Sequence, residues 1–552
     1  MTQAKRVLDA MSRGRAHATR RWPAYGWLVA ALLAAGAAPA QLLVPVQQPS
    51  KSPLNEHVYF SRISLLPRDA GSAVIQFDIG WTGSWRHDVN HDAAWIFFKY
   101  RVEGDTEKTW RHVFLKADAG KVLNPSGYGQ GAAAPLSFDW GCTPKDGKTF
   151  TAAGDTQFDF LVPDGADGFT GAFVRRADHG MGTASGAKLT VLWDLTKAEG
   201  VKPDTKVAIK AYGIRMLYVA EGPYALGSGA TESGAFYTFQ PEKQRGAEKE
   251  RISMGGATMV IHEEVAAADE FPPYRVTSSN AIPTGKTPGR LWARSAEPPD
   301  GGEIPASFPN GYRAFYMMFC PMPQAVYASF LSSLPPDQGE YHHEQGNHAT
   351  EAGWSGAIVK STDPENPYEF HHGRLKSHCT WWLKWDDATA FAAWSGLRPM
   401  TELENEKALR GPRLPAREEA GNSFWGGSYG GGRYNAHPRE MVVTVATTNG
   451  LAYRGTHGSG SPTNWPGDWP ANKSAQGTGI RNGQEAACGI TELRGPMWCT
   501  SCRLEANLND PERGKLYGFR AARTAPEAAK WNSVRQEEET SPVLQGLPGG
   551  GR

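Results

Sequence analysis

Alternation of apolar and polar positions dominates the first third of the chain. Ile75, Phe77, Ile79 and Trp81 alternate with Gln76, Asp78 and Gly80, the period of a half-buried strand. Trp95 to Tyr100 (WIFFKY) reads as a continuous apolar strand, and Phe158 to Val162, Leu189 to Trp193 and Val207 to Tyr212 follow between Gly, Asp and Pro turns. Strands in this order without intervening helices predict an antiparallel β-sandwich over about residues 55–205. Trp81 and Trp85 read as core or interface side chains, with stacking on sugars as the other use of such residues.

The pattern changes period at Trp385 to Gly411. Trp385, Ala388, Phe391 and Trp394 recur at helical spacing, Gly396 suits a helix C-terminus, and Pro399 interrupts any continuation. Thr401 with Glu404 three residues later forms a capping box for a second helix. Glu402 suits the positive N-terminal pole of that helix and Lys407 and Arg410 the negative end, before Gly411-Pro412 stops it. The aromatics of this hairpin read as core, and Arg398 reads as the partner of Glu402 or Glu406 in a structural ion pair.

Length and composition add bounds. A chain of 552 residues with 40% hydrophobic content suggests two or three domains, and 63 glycines, 39 prolines and 19 tryptophans favour short strands, turns and long loops. A formal net charge of +1 argues against a nucleic-acid footprint. Residues 1–40 read as a signal peptide: a basic segment with Arg20 and Arg21, the apolar run Trp27 to Ala38, and Ala38-Pro39-Ala40 before Gln41. The expected layout is this signal, a linker over 41–54, the sandwich over 55–205, a second domain over 206–526 with an insertion at about 240–305, and a flexible tail over 527–552. No transmembrane helix follows the signal, so an exported protein, periplasmic or at the cell surface, is expected rather than an integral membrane protein.

Few residues offer chemistry by pattern alone. Asp88, Asn90 and Asp92 place oxygen side chains at alternate positions, as calcium loops do, although Ala93 stands where a glycine is expected. A polar hairpin loop is the favoured use of that stretch. His342, His343 and His348 lack a metal-ligand spacing and read as a solvated loop. Cys499 and Cys502 are the one close pair among six cysteines, and in an exported chain a disulfide is favoured over a metal site.

Beyond these readings, Trp385, Asp387, Ala388, Phe391, Trp394, Gly396, Arg398, Thr401, Glu402, Glu404, Glu406, Ala408, Arg410 and Gly411 stand in the register of a known signature. The stretch resembles the formylglycine-generating enzyme (sulfatase-modifying factor) family. Met216 to Gly227 is similar to that family's opening, and Tyr327, Phe330 and Leu331 to the buried face of its next helix. Gly489 to Cys499 resembles its G-N-V-W-E region and Gly518-Phe519-Arg520 its terminal strand. The resemblance implies an α+β, loop-rich domain of the C-type-lectin-like variant type following the sandwich.

It also implies copper held by two late cysteines and calcium held by an Asn and a Glu. Here Pro496 and Cys499 replace the calcium ligands, and the copper segment is short, with Cys499 and Cys502 as its nearest candidates. No cofactor is therefore expected, with copper and calcium as the alternatives. The expected function is non-catalytic binding of a protein or glycan through the loop face that includes Phe424 to Tyr434 and Trp465 to Trp469. The alternative is an oxygen- and metal-dependent oxidase acting on a protein thiol through Cys499 and Cys502. Intact-mass analysis of exported protein should give a chain starting near Gln41; retention of Met1 would refute the signal.

Overall fold

The computed structural model describes residues 58–86, 91–107, 109–118, 120–130, 156–163, 168–202, 205–229, 232, 234–241, 248–254, 257–262, 271–343, 357–371, 383–411, 415, 439–470, 478–481, 500–504 and 517–530. All of them belong to one compact unit. The architecture is strand-rich α+β with few helices and many loops.

Two sheets face each other in the N-terminal half. The first joins β1 (Tyr59–Asp69), β2 (Ser72–Arg86), β8 (Gly180–Asp194) and β5 (Gly129–Gln130) in that order. The second contains β3 (Asp92–Val102), β4 (Arg111–His112), β6 (Phe158–Leu161), β7 (Ala172–Arg176) and β9 (Val207–Val219). Each strand anticipated in the sequence coincides with one of these elements, except that Val162 lies one residue past the end of β6. Phe60, Ile75, Phe77 and Ile79 from the first sheet share a buried cluster with Ala94, Ile96, Phe98 and Tyr100 of β3. Phe77 and Phe98 meet across it with ring centroids 5.5 Å apart.

The central strand β3 explains why its sequence is apolar without interruption. Its other face, Ala93, Trp95 and Phe97, belongs to a second core that also holds Phe330, Phe391 and Trp394. A strand covered on both faces loses the alternation that water imposes on one side. β9 lies against β3 in antiparallel register from Asp92↔Leu217 to Val102↔Val207. It then carries Phe315–Met318, Ala521–Thr524 and Arg398–Pro399 in turn. The boundary expected at 205/206 therefore falls just before a strand shared by both halves, and one sheet runs through them.

The stretch expected as an insertion also joins the body over 271–305. Tyr274–Val276 pairs with Tyr224–Leu226, Leu291–Ala293 pairs with Phe236–Thr238, and Val276, Ile282, Leu291 and Ile304 enter the second core. The expected tail is held at its start: Ala529 is buried and its carbonyl accepts from Arg175 Nη1 at 2.8 Å.

Helices α1 (Gln324–Leu331), α2 (Pro336–His343), α3 (Trp385–Ser395) and α4 (Glu402–Arg410) cover the second face. In α1, Tyr327, Phe330 and Leu331 are buried as anticipated. α3 ends at Gly396, whose φ of 71° is left-handed, and Phe391 and Trp394 are buried. α4 starts with the expected capping box, Thr401 Oγ1 accepting from Glu404 N–H and Glu404 accepting from Thr401 N–H.

One pairing differs from expectation. Arg398 donates to Glu404, at 2.9 and 2.6 Å, and not to Glu402 or Glu406. Glu404 turns back towards the helix start as part of its capping box, which is where the extended Arg398 arrives. Glu402 instead receives Arg503, Thr444 Oγ1 and the Val445 N–H, and Glu406 receives Arg410 and the Gly227 N–H.

α4 also buries a lysine. Lys407 Nζ donates to the carbonyls of Ala220 and Gly311 at 2.7 Å and of Tyr312 at 3.2 Å. Burial pushes it from 10.5 to about 7, against the pull of Glu404 and Glu221. Between those values the unfolded chain holds one proton more than the native one, so this group's contribution to stability rises with pH across that window. Chemical denaturation of wild type and Lys407→Met between pH 7 and 10.5 should show the variant's relative stability falling by about 1.4 kcal/mol per pH unit. A constant difference would show that Lys407 does not titrate there.

Candidate functional site

The last turn of α3 organises a cleft beside it. A helix leaves its final carbonyls without intrahelical partners. Here Ala392 O accepts from Leu397 N–H at 2.9 Å, and Ala393 O from Gly460 N–H at 2.9 Å. Trp394 O accepts from Lys99 Nζ and Ser395 O from Trp95 Nε1, both at 2.8 Å, and Gly396 O accepts from Arg523 Nη1. Two of these donors are cations at the negative helix pole. The Arg523 guanidinium lies 4.3 Å over the Trp95 ring.

Lys99 completes the arrangement. Its ammonium also donates to His112 Nδ1 at 2.9 Å and to Gly460 O at 2.6 Å. His112 Nε2 donates to Thr170 O at 2.7 Å, which leaves Nδ1 as the acceptor. Burial holds Lys99 well below its ordinary value; burial first and the Lys99 charge second do the same to His112.

The chain from Arg454 to Trp469 is laid on this base. Gly458 N–H donates to Leu397 O at 2.8 Å. A Cβ at Gly458 would lie 2.5 Å from Ala393 Cα, and one at Gly460 2.3 Å from the His112 ring. Both glycines are therefore required by close approach. The rest of the loop is braced from within. Asp468 accepts from Arg454 N–H at 2.8 Å, Trp469 Nε1 donates to Thr456 O at 2.8 Å, and Trp465 Nε1 donates to Pro462 O at 2.7 Å.

Between this loop and Arg523 to Pro526 opens a cleft of about 600 Å³. Thr456, Ser459, Asn464 and the half-buried Trp465 form one wall; Thr524, Ala525 and Pro526 form the other. Among the described residues its lining contains no carboxylate. His457 joins the walls, its Nε2 accepting from Thr524 N–H at 3.1 Å. Burial and then the Arg398 charge lower it to about 3, so it stays neutral through the physiological range.

The anticipated site residues fall in different places. Trp465 reaches the cleft, while Trp469 is buried beneath it and Phe424 to Tyr434 lies outside the described residues. Asp88 and Asn90 also lie outside them. Asp92 is fully buried and accepts from Trp81 Nε1 at 2.9 Å, Ser84 Oγ at 3.0 Å, Trp85 N–H at 2.8 Å and Arg215 Nε at 2.9 Å. Those donors occupy both oxygens, so this carboxylate does not suit calcium. Trp81 is buried with it and offers no face to a sugar.

Cys499 lies outside the described residues, and Cys502 is fully buried between Ser501, which accepts from Arg410, and Arg503, which pairs with Glu402. His342 and His343 end helix α2 instead of lying in a solvated loop: His342 Nδ1 is 2.8 Å from Asp387 Oδ1 and His343 Nε2 is 3.0 Å from Ile358 O. Among the described residues no three His, Cys, Asp or Glu side chains gather as metal ligands, and no helix is long and apolar enough to cross a membrane. Among the cleft residues that sequence reasoning missed are Thr456, His457, Ser459, Asn464, Arg523 and Thr524. The spacing of Gly455, Gly458 and Gly460 ahead of Trp465 was the available signal.

No known family model matches the chain, and no curated protein matches it.

Gly460→Ala should cost at least about 2 kcal/mol, because a left-handed φ and the His112 ring both oppose the new methyl group. Gly467→Ala, in the same loop with open space around its Cβ, should change stability by less than about 0.5 kcal/mol. Equal losses in thermal or urea denaturation would contradict the packing described.

Proposed function

We propose that this is an exported binding protein, whose second half has the formylglycine-generating-enzyme-like scaffold and whose first half is an antiparallel β-sandwich fused to it. The observation that carries the reading is how the signature's charges are used. Arg398, Glu402, Glu404, Glu406 and Arg410 are all buried, and every one is engaged by a partner inside the protein. They shape a scaffold and present nothing to a substrate. Open polar and aromatic groups lie instead along the Thr456–Trp465 cleft, which is where a protein or glycan ligand would be held.

The replaced calcium positions, Pro496 and Cys499, and the shortened copper segment support a non-catalytic role. Cys502 is fully buried, which supports a structural use of this cysteine over contact with a substrate. The purified exported protein, loaded with copper(I) and mixed with a sulfatase-type cysteine peptide in air, should yield no aldehyde-bearing peptide after any disulfide is reduced. A loss of the thiol with an aldehyde in its place would establish the oxidase alternative and overturn the binding reading.

A further inference from the structure

We propose that the cleft beside Trp465 holds a neutral saccharide, stacked on the indole and recognised without a metal ion. This rests on the reading of the cleft as a binding site and names its ligand class.

Four features of the cleft argue for it. Trp465 has only its ring to offer, because its N–H is already given to Pro462 O at 2.7 Å. A partner must therefore present a flat C–H face to it, as a pyranose ring does. A proline-rich peptide also has such a face, but its carbonyls only accept, so it would leave the acceptor side of the hydroxyls and amide around the ring unused, and this indole N–H is spent.

Next come the polar groups around the ring. Thr456 and Ser459 carry hydroxyls and Asn464 an amide, each able both to donate and to accept. Ser459 Oγ donates to Asn464 O at 3.2 Å and keeps acceptor capacity towards the cleft. Sugar hydroxyls are donors and acceptors at once, so amphoteric partners suit them better than a row of pure donors or acceptors.

Charge narrows the class further. Among the described residues no carboxylate lines the cleft, so none of them offers the usual means of holding a calcium ion against vicinal hydroxyls. The one cation among the described lining residues, Arg523, is buried and directed at Gly396 O and Thr170 Oγ1, and His457 is neutral. Among these residues an anionic ligand would find little to pair with it, and a cationic one no carboxylate.

Finally, the wall is preorganised. Asp468, Trp469 and the backbone contacts of Gly458 and Gly460 fix the loop before any ligand arrives, which lowers the ordering cost of binding a small polar molecule.

Isothermal titration of the full exported chain tests this with cello-, chito-, malto- and mannohexaose, and with a proline decapeptide as the competing class. At least one hexasaccharide should bind. Trp465→Ala should weaken that binding about tenfold or more, Trp465→Phe should restore part of it, and Asn464→Ala should weaken it with unchanged melting. EDTA should leave the affinity unchanged, as should moving from about pH 5 to 8. Binding that EDTA abolishes, or that Trp465→Ala leaves intact, overturns the proposal. Binding of the decapeptide alone overturns the saccharide class and keeps the cleft as a binding site. No binding by any of the five probes overturns both.

Discussion

The C-terminal pole of helix α3 is the point on which the rest of the structure depends. Five successive carbonyls there find donors drawn from four separate parts of the chain: β3, the turn after the helix, the Gly458–Gly460 segment and the strand Ala521–Thr524. Leaving such groups buried and unmade costs more than the bonds themselves return. The packing of sheet, helix and loop is consequently not adjustable one element at a time. If β3 slipped by one residue, Lys99 and Trp95 would turn to the opposite core and four acceptors, the carbonyls of Trp394, Ser395 and Gly460 and His112 Nδ1, would be stranded.

The same pole accounts for the charge placement nearby. Lys99 has no carboxylate beside it; a helix end, a carbonyl of the loop and one imidazole nitrogen take its three N–H groups. α4 uses the more familiar solution, with Arg398, Arg410 and Arg503 each matched to a glutamate. Buried ion pairs of this kind add little net stability over apolar packing, but breaking one leaves an unpaired buried charge. Their effect is to permit one register of α4 against its neighbours.

How much of this the sequence disclosed depended on the distance between the partners. The strands before residue 205 and both signature helices were legible, since alternation, helical spacing, Gly396 and the Thr401–Glu404 box are local. Lys99 was hidden inside an apolar run because its acceptors lie 295 and 361 residues away. Asp92 looked like one oxygen of a calcium loop; only the fold turns it inward onto Trp81 and Arg215. The boundary drawn at 205/206 followed a change of pattern, and strand pairing between β3 and β9 leaves no mark on composition. In the cleft, Trp465 was readable as a candidate, but its opposite wall comes from Thr524 to Pro526, with nothing in the intervening sequence to connect them.

The position of Ala521–Thr524 has a consequence for how the molecule is made. This strand lies between Phe315–Met318 and Arg398–Pro399, supplies Arg523 to the helix pole and forms half of the cleft. During synthesis the slot for it stays open until several hundred residues have emerged, and pairing at such separation is slow. A ribosome-bound or truncated chain lacking it has two unpaired strand edges and only one wall of the cleft. The cleft therefore exists only in a chain whose last strand has found its slot, and until then the open edges are free to pair with other chains.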